Sequence, residues 1–177
     1  FDVLDGSNNN LLGQTFAITV TNVDDVDPVV AVNTGITVSE EMTVTITTSH
    51  LNVTDTESVD GTLTLTITPP VQNGRLQLST AAGVTITTFT QGDLADGLVQ
   101  YVHDGSETIT DTFTFDVGDV SGNILSGTIF TITVTPVNDA PIAYADTYTV
   151  TEDITATITI TGVLSNDVDT DIPIQTL

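Results

Sequence analysis

Cysteine and lysine are both missing from this sequence of 177 residues, and arginine occurs once, at Arg75. The first absence excludes disulfides. The second excludes a lysine–asparagine isopeptide crosslink, so nothing covalent staples the fold. Against the single arginine stand 24 carboxylates, for a net charge of −23. Such a chain repels nucleic acid, whose affinity comes from cationic side chains displacing counterions, and anionic membrane surfaces for the same reason. No apolar run approaches the ~20 residues of a membrane-spanning helix, so no membrane insertion is expected from this segment. No signal peptide is legible. Aromatics make up 5 % of the chain, too few for a broad stacking platform. His50 and His103 have no cysteine or histidine partner at metal spacing, which argues against zinc. His103 abuts Asp104 with Ser106 close behind, but a catalytic triad converges from separate elements, and no nucleophile elbow or phosphate loop is present. The chain reads as no enzyme.

What is present is threonine, about a fifth of all residues. β-Branched side chains suit a pleated surface. Met42, Val44 and Ile46 alternate with threonines, as do Leu63, Leu65 and Ile67. Phe113, Phe115 and Val117 form a third set, and Phe130, Ile132 and Val134 a fourth. A period of two, with one apolar and one hydroxyl face, marks half-buried strands. Shorter strands are expected near 30–38, 75–79, 84–89 and 98–103. Asn73-Gly74 predicts a hairpin turn between two strand runs, and QGDLADG (91–97) one short helical turn. Asp111 reads as a turn or strand-start residue, and Tyr101, Tyr144 and Tyr148 as core or edge packing. About seven strands with turns between them have the spacing of a sandwich. The expected fold is all-β, a Greek-key β-sandwich in tandem modules.

The tandem arrangement follows from an internal repeat. FDVLDGSNNNLLGQTFAITV (1–20) and FDVGDVSGNILSGTIFTITV (115–134) align without a gap at an offset of 114. Pro28 then falls on Pro141 and Glu40 on Glu152. A domain-sized period implies a string of modules. Residues 1–25 are expected to be the last strands of one repeat, 26–139 a complete repeat, and 140–177 the first strands of the next.

The carboxylates cluster between the strands, where calcium could gather its six to eight oxygens and offset their mutual repulsion. Solvated acidic loops are the alternative. NVDDVDP (22–28) and PVNDAP (136–141) resemble the linkers of cadherin-like modules. Residues 89–119 are similar to the chondroitin-sulfate-proteoglycan (NG2) type repeat. ADTYTVTEDITATITITGVLSNDVDTD (145–171) resembles the opening of VCBS-type or cadherin-like repeats of large bacterial surface adhesins. The resemblance implies Ca²⁺ at each junction between modules. At 136–141 the ligands would be Glu40 or Glu41, Asp104, Asn138 and Asp139, with Asp167 and Asp169 from the next module. At 22–28, Asp24, Asp25 and Asp27 would meet Asp55, Glu57 and Asp119, whose counterpart one repeat earlier is Asp5. PVNDAP has a single asparagine–aspartate step, and DVDTDIP lacks the acid-glycine-acid run of the adhesin loop, which implies one or two ions per junction. The expected function is a rigid extracellular spacer at a bacterial cell surface, partnered by adjacent repeats of the same chain. A filament subunit pairing with identical chains and a glycan- or protein-binding adhesin domain are the alternatives. NVT at 52–54 fits a glycosylation sequon of little use in a bacterium.

Overall fold

The structure is a computed structural model and describes residues 2–158 and 160–171, so residues 172–177 of the expected third segment lie outside the described residues. In chain order the strands are β1 (Val3–Leu4), β2 (Asn10–Leu11), β3 (Val29–Asn33), β4 (Ile36–Ser39), β5 (Thr43–Thr45) and β6 (Leu51–Thr54). They continue with β7 (Thr64–Ile67), β8 (Gly74–Leu78), β9 (Thr88–Thr90), β10 (Val99–His103), β11 (Thr110–Gly118) and β12 (Ile124–Thr135). The expected helical turn forms as α1 (Gln91–Ala95), opened by a capping box between Thr90 and Asp93.

One sheet runs β4-β12-β11-β7-β9; the facing layer is β5-β10-β8, with β3-β6 as a two-stranded extension. The arrangement is all-β and sandwich-like. Alternation decides which face is buried. Along β11, Asp111, Phe113, Phe115 and Val117 point inward and Thr110 and Thr112 outward. Phe113 opposes Phe130 in the β11–β12 register, and their rings stack at 5.1 Å. Leu51, Val53, Leu76, Val99 and Tyr101 close the same core from the other layer.

One expected strand is broken and another strand, β6, is not among those expected, which raises the number of elements above seven. The first breaks into β3 and β4 at Gly35, whose φ is +69° and where an added Cβ would stand 2.7 Å from the Thr131 carbonyl oxygen. The second, β6, follows β5 after a turn in which His50 Nδ1 accepts the Thr47 N–H at 3.2 Å. His50 is thus a turn lock. Of the run expected at 84–89, only Thr88–Thr90 becomes a strand.

Two expectations about the strands and turns are overturned. Asn73-Gly74 makes no hairpin, because β7 and β8 belong to different sheets. Gly74 is required instead by close packing: a Cβ there would lie 2.3 Å from the Val102 carbonyl oxygen. Met42 is 55 % exposed. Its predecessor Glu41 sits at φ 59° in a turn, so the alternation begins only after it.

Asp111 is a buried clamp. Its oxygens accept the backbone N–H groups of Gln72 (3.1 Å), Asn73 (2.9 Å) and Thr112 (2.8 Å). The fully buried Tyr101 hydroxyl donates to Asp111 Oδ2 (3.0 Å) and to the Asn73 carbonyl (2.9 Å). Tyr144 and Tyr148, expected to pack, are exposed.

The segments flanking β3–β12 differ sharply from it. Phe16, Ile18 and Val20 are 77, 76 and 86 % exposed and lie in no strand. Their repeat counterparts Phe130, Ile132 and Val134 are buried in β12. A period-two pattern becomes a strand only beside partner strands, and among the described residues no strand pairs with residues 16–20.

Tyr101→Phe leaves the Asp111 and Asn73 oxygens short of a donor and should cost about 1–3 kcal/mol, read by urea denaturation at neutral pH. Burial first, then Asp111, hold the Tyr101 hydroxyl far above the ordinary tyrosine value. The folded state therefore keeps a proton that the unfolded chain releases. The advantage of the wild type should be complete below about pH 10 and shrink as the pH rises beyond it.

Candidate metal centres at the two ends of the sandwich

Strand direction sets which loops meet. β4 runs parallel to β12, so Ser39 and Thr135 are neighbours and the chain leaves both strands at one end, called here the trailing end. At the opposite, leading end, β3 begins beside the end of β6, with Val29 paired to Thr54. The β11–β12 loop also lies there, opposite the trailing end of β12.

At the leading end, Asp24, Asp55 and Asp119 each offer an oxygen, and all three atoms lie within 4.8 Å of one another. Asp24 Oδ2 accepts the hydroxyls of Ser58 (2.6 Å) and Ser121 (3.0 Å). Asp55 Oδ1 takes the N–H groups of Glu57 and Ser58, both at 2.7 Å. Asp55 Oδ2 is buried without a hydrogen-bond partner. Asp119 Oδ1 accepts the N–H groups of Ser121, Gly122 and Asn123 at 2.8, 2.7 and 2.9 Å, and Oδ2 takes the Asn123 amide at 2.8 Å. Partial burial pushes the Asp119 carboxyl up, but these donors outweigh it and hold the group below the usual aspartate range.

The equivalent loop one repeat earlier is wired the same way. Asp5 accepts Ser7 N–H (2.8 Å), Asn9 N–H (2.9 Å) and the Asn9 amide (2.8 Å). The Asn9 side chain leads in holding its carboxyl low. Asp2 and Asp116 likewise accept Gly13 and Gly127 N–H at 2.8 and 2.7 Å.

At the trailing end, Glu40, Glu107 and Asp139 form a second trio within 4.8 Å. Glu40 is 2 % exposed. Its Oε2 accepts the Val137 N–H at 3.1 Å, and its Oε1 is buried with no hydrogen-bond partner. Burying a charge is costly unless a cation or donors compensate, and no donor among the described residues reaches this oxygen. His103, 3 % exposed, braces both loops of the trio. Its Nδ1 accepts the N–H groups of Glu41 (3.3 Å) and Gly105 (3.2 Å). The proton then sits on Nε2, which faces Thr108 Oγ1 at 3.2 Å.

The expected ligands divide accordingly. Asp24, Asp55 and Asp119 come together at the leading end, and Glu40 and Asp139 at the trailing end. Glu57 clamps the linker instead, accepting Asn22 Nδ2 (3.3 Å) and the N–H groups of Asp25 (2.9 Å) and Val26 (3.2 Å). Asp25 and Asp27 are exposed outside the trio. Glu41 is exposed at its turn. Asp104 is also exposed, and the Ser106 side chain leads the contacts that hold its carboxyl below the usual range. Glu107, three residues further on, takes the place expected for Asp104. Asn138 is exposed and donates to the Asp139 carbonyl at 2.7 Å. Asp167 accepts Tyr144 N–H (2.8 Å) and Asp169 accepts Asp171 N–H (3.4 Å). It is Asp171, 3 % exposed, that reaches the linker, accepting Asp139 N–H at 2.9 Å.

Both trios are all-oxygen sets drawn from separate loops, the donor chemistry that suits a hard divalent cation such as calcium. The orphaned Glu40 and Asp55 oxygens fit such an ion. Residues 28–134 match the family model described as cadherin-like. With a sandwich-like β fold and carboxylates gathered at both ends, the chain belongs to the cadherin-like family. It is 38 % identical over 173 residues to the extracellular matrix organizing protein FRAS1 of Mus musculus, covering 97 % of this chain and 4 % of that protein. Extracellular matrix protein 3 of Lytechinus variegatus is 36 % identical over 149 residues, 83 % of this chain and 5 % of that protein. Human chondroitin sulfate proteoglycan 4 is 38 % identical over 104 residues, 59 % of this chain and 4 % of that protein. The chain thus spans only a small part of each of these relatives. The SrpA adhesin of Streptococcus sanguinis superposes with a TM-score of 0.40 at 16 % identity, covering 71 % of this chain and 69 % of that one.

A depressed carboxyl stabilises the fold above its unfolded value, near pH ~3.9, and the contribution is lost as pH falls through the folded value. Asn123→Ala should therefore raise the Asp119 titration midpoint toward that of a free aspartate, followed by carboxyl NMR chemical shifts.

Proposed function

We propose that this chain is a calcium-stabilised structural repeat of an extracellular protein, acting as a rigid spacer with adjacent repeats of the same chain as its partners. The observation that carries this is Glu40: a carboxylate 2 % exposed, with one oxygen lacking a donor among the described residues, grouped with Glu107 and Asp139. In this reading residues 26–139 are one complete repeat, 1–25 close a preceding one and 140–177 open a following one. The matching loops at Asp5 and Asp119 support that division. The relatives named above are animal matrix proteins, and the VCBS-type character of 145–171, with a bacterial cell surface as its place, rests on the sequence resemblance. Against a glycan-binding role, the aromatic residues between 28 and 135, namely Phe89, Tyr101, Phe113, Phe115 and Phe130, are all buried and leave no stacking platform.

Each trio would hold one ion, with Asp24, Asp55 and Asp119 at the leading end and Glu40, Glu107 and Asp139 at the trailing end. The ion supplies positive charge that the chain itself lacks. The residues hold the linkers, through Asp24 and Asp139, against the body of the sandwich.

An ion bound only by the folded state stabilises it by about 2.7 kcal/mol at a hundredfold excess over Kd. For a domain of this size that is a rise in Tm of about 10 °C or more, measured by calorimetry in calcium against chelator. Equal melting temperatures would refute the reading. Glu40→Gln should act with opposite signs: it relieves a buried charge in chelator and so raises Tm, but removes a ligand and lowers Tm in calcium.

A further inference from the structure

Asn73-Gly74 makes no hairpin, and its setting gives the pair a chemistry of its own. In an asparagine–glycine step the next main-chain nitrogen can attack the side-chain amide carbon, because glycine puts no Cβ in its path. Here the glycine is compulsory. Besides the Val102 carbonyl oxygen, a Cβ at Gly74 would meet the Tyr101 ring at 3.0 Å, so no bulkier residue can slow the attack. The attacking nitrogen is not engaged by the neighbouring strand either. Asp104 N–H donates to the Asn73 carbonyl at 3.2 Å, which makes Gly74 and His103 a non-hydrogen-bonded pair of the β8–β10 ladder. His103 accordingly turns its N–H the other way, to the Met42 carbonyl at 3.1 Å. Gly74 N–H points away from β10 in the same manner. The side-chain amide is loosely held, since its nitrogen reaches the Thr110 carbonyl only at 3.4 Å. Both residues are half-buried, so water has access.

What opposes the reaction is the backbone of Asn73. Its N–H donates to Asp111 Oδ2 at 2.9 Å. Its carbonyl accepts from Asp104 N–H and from the Tyr101 hydroxyl, at 3.2 and 2.9 Å. Swinging the Gly74 nitrogen toward the amide carbon turns the peptide about the Asn73 Cα–C bond, so the carbonyl must leave both donors. We infer that Asn73-Gly74 is a site of spontaneous deamidation, kept closed by the clamp of Tyr101 and Asp111. When the clamp opens, Gly74 N gives its proton to water and bonds to Asn73 Cγ. The Cγ–Nδ2 bond breaks and ammonia carries Nδ2 away. Water then opens the cyclic imide at either carbonyl. One opening leaves aspartate; the other leaves isoaspartate, with the main chain rerouted through the side chain. Nothing is oxidised or reduced. The product adds a carboxylate to a chain of net charge −23, close to that of Asp111. Isoaspartate also inserts a methylene between the N–H and the carbonyl of residue 73, and the clamp grips both. The reaction thus removes what holds it back, and it runs one way.

The test incubates the purified chain at neutral pH and body temperature. Peptide masses follow each asparagine, and isoaspartyl methyltransferase labelling follows isoaspartate. A free peptide of residues 69–78, PPVQNGRLQL, sets the unprotected rate. The expected order is the peptide fastest, folded Y101F next and the wild type slowest. Loss of one donor to the Asn73 carbonyl should raise the rate at Asn73 about tenfold. Asn33 and Asn123, each followed by a β-branched residue, should change little. N73Q keeps the backbone contacts, and its Tm should hold on storage while that of the wild type falls. Wild-type protein reacting as fast as the peptide would overturn the clamp's role, and so would folded Y101F reacting at the wild-type rate. Folded Y101F that gains isoaspartate elsewhere and none at Asn73 would overturn the site itself. Should Y101F fail to fold, the wild type in urea below its unfolding transition gives the same reading. A rate at Asn73 that climbs ahead of global unfolding is expected, and one that climbs only with it overturns the clamp.

Discussion

Like charges set the terms of this structure. A chain with 24 carboxylates and one cation cannot pair its acids with its own bases, so their repulsion has to be met by geometry and by hydrogen bonds. The strand faces stay almost free of them; the outward positions of β4, β11 and β12 are mainly threonine and serine. Acids gather at the ends, where serine hydroxyls, an asparagine amide and backbone N–H groups meet oxygens of Asp24, Asp55 and Asp119. Glu40 Oε1 and Asp55 Oδ2, buried with no hydrogen-bond partner among the described residues, belong to the two groups of three carboxylates. The polar economy of the fold is incomplete at those two points, and both are points at which a linker joins the body.

The repeat separates local from tertiary causes within one molecule. Asp5 and Asp119 make the same turn contacts, although one lies beside a two-residue strand and the other in the longest hairpin of the sandwich. An aspartate that accepts N–H groups two to four residues ahead needs no distant partner. The strands behave otherwise. Ile18 and Ile132 occupy equivalent places in aligned sequences that match at 12 of 20 positions, yet one is 76 % exposed and the other fully buried. Threonine and isoleucine alternation supplies a face, and only a second sheet supplies burial.

That contrast explains what could be read in advance. Burial along β11 and β12 was legible because the alternation is long and uninterrupted. Asp24, Asp55 and Asp119 could be placed at one end because they stand in the linker and inter-strand loops, but Asp25, Asp27 and Glu57 stand there too, and loop position alone does not separate the two sets. The trailing trio was legible at Glu40 and Asp139 but not at Glu107. Gly105, at φ +84°, turns the loop so that Asp104 faces water, and a backbone turn of that kind leaves no mark in acid spacing. Asn73-Gly74 misled for a related reason. Glycine before a strand signals either a tight turn or a close approach, and only the position of Val102 distinguishes them. Met42 misled because the turn at Glu41 delays the start of the alternation by one residue.

The parallel pairing of β4 with β12 has a mechanical consequence. The chain enters the sandwich at one end and leaves it at the other, and the strands nearest those two exits lie side by side over Ile36–Ser39 and Ile132–Thr135. A pull along the chain drags β4 one way and β12 the other. Their ladder is loaded in shear, every hydrogen bond at once, and cannot be peeled apart one rung at a time. Resistance to stretching is then governed by the rate of that single rupture, so the force a string of such units survives is set at one short seam in each.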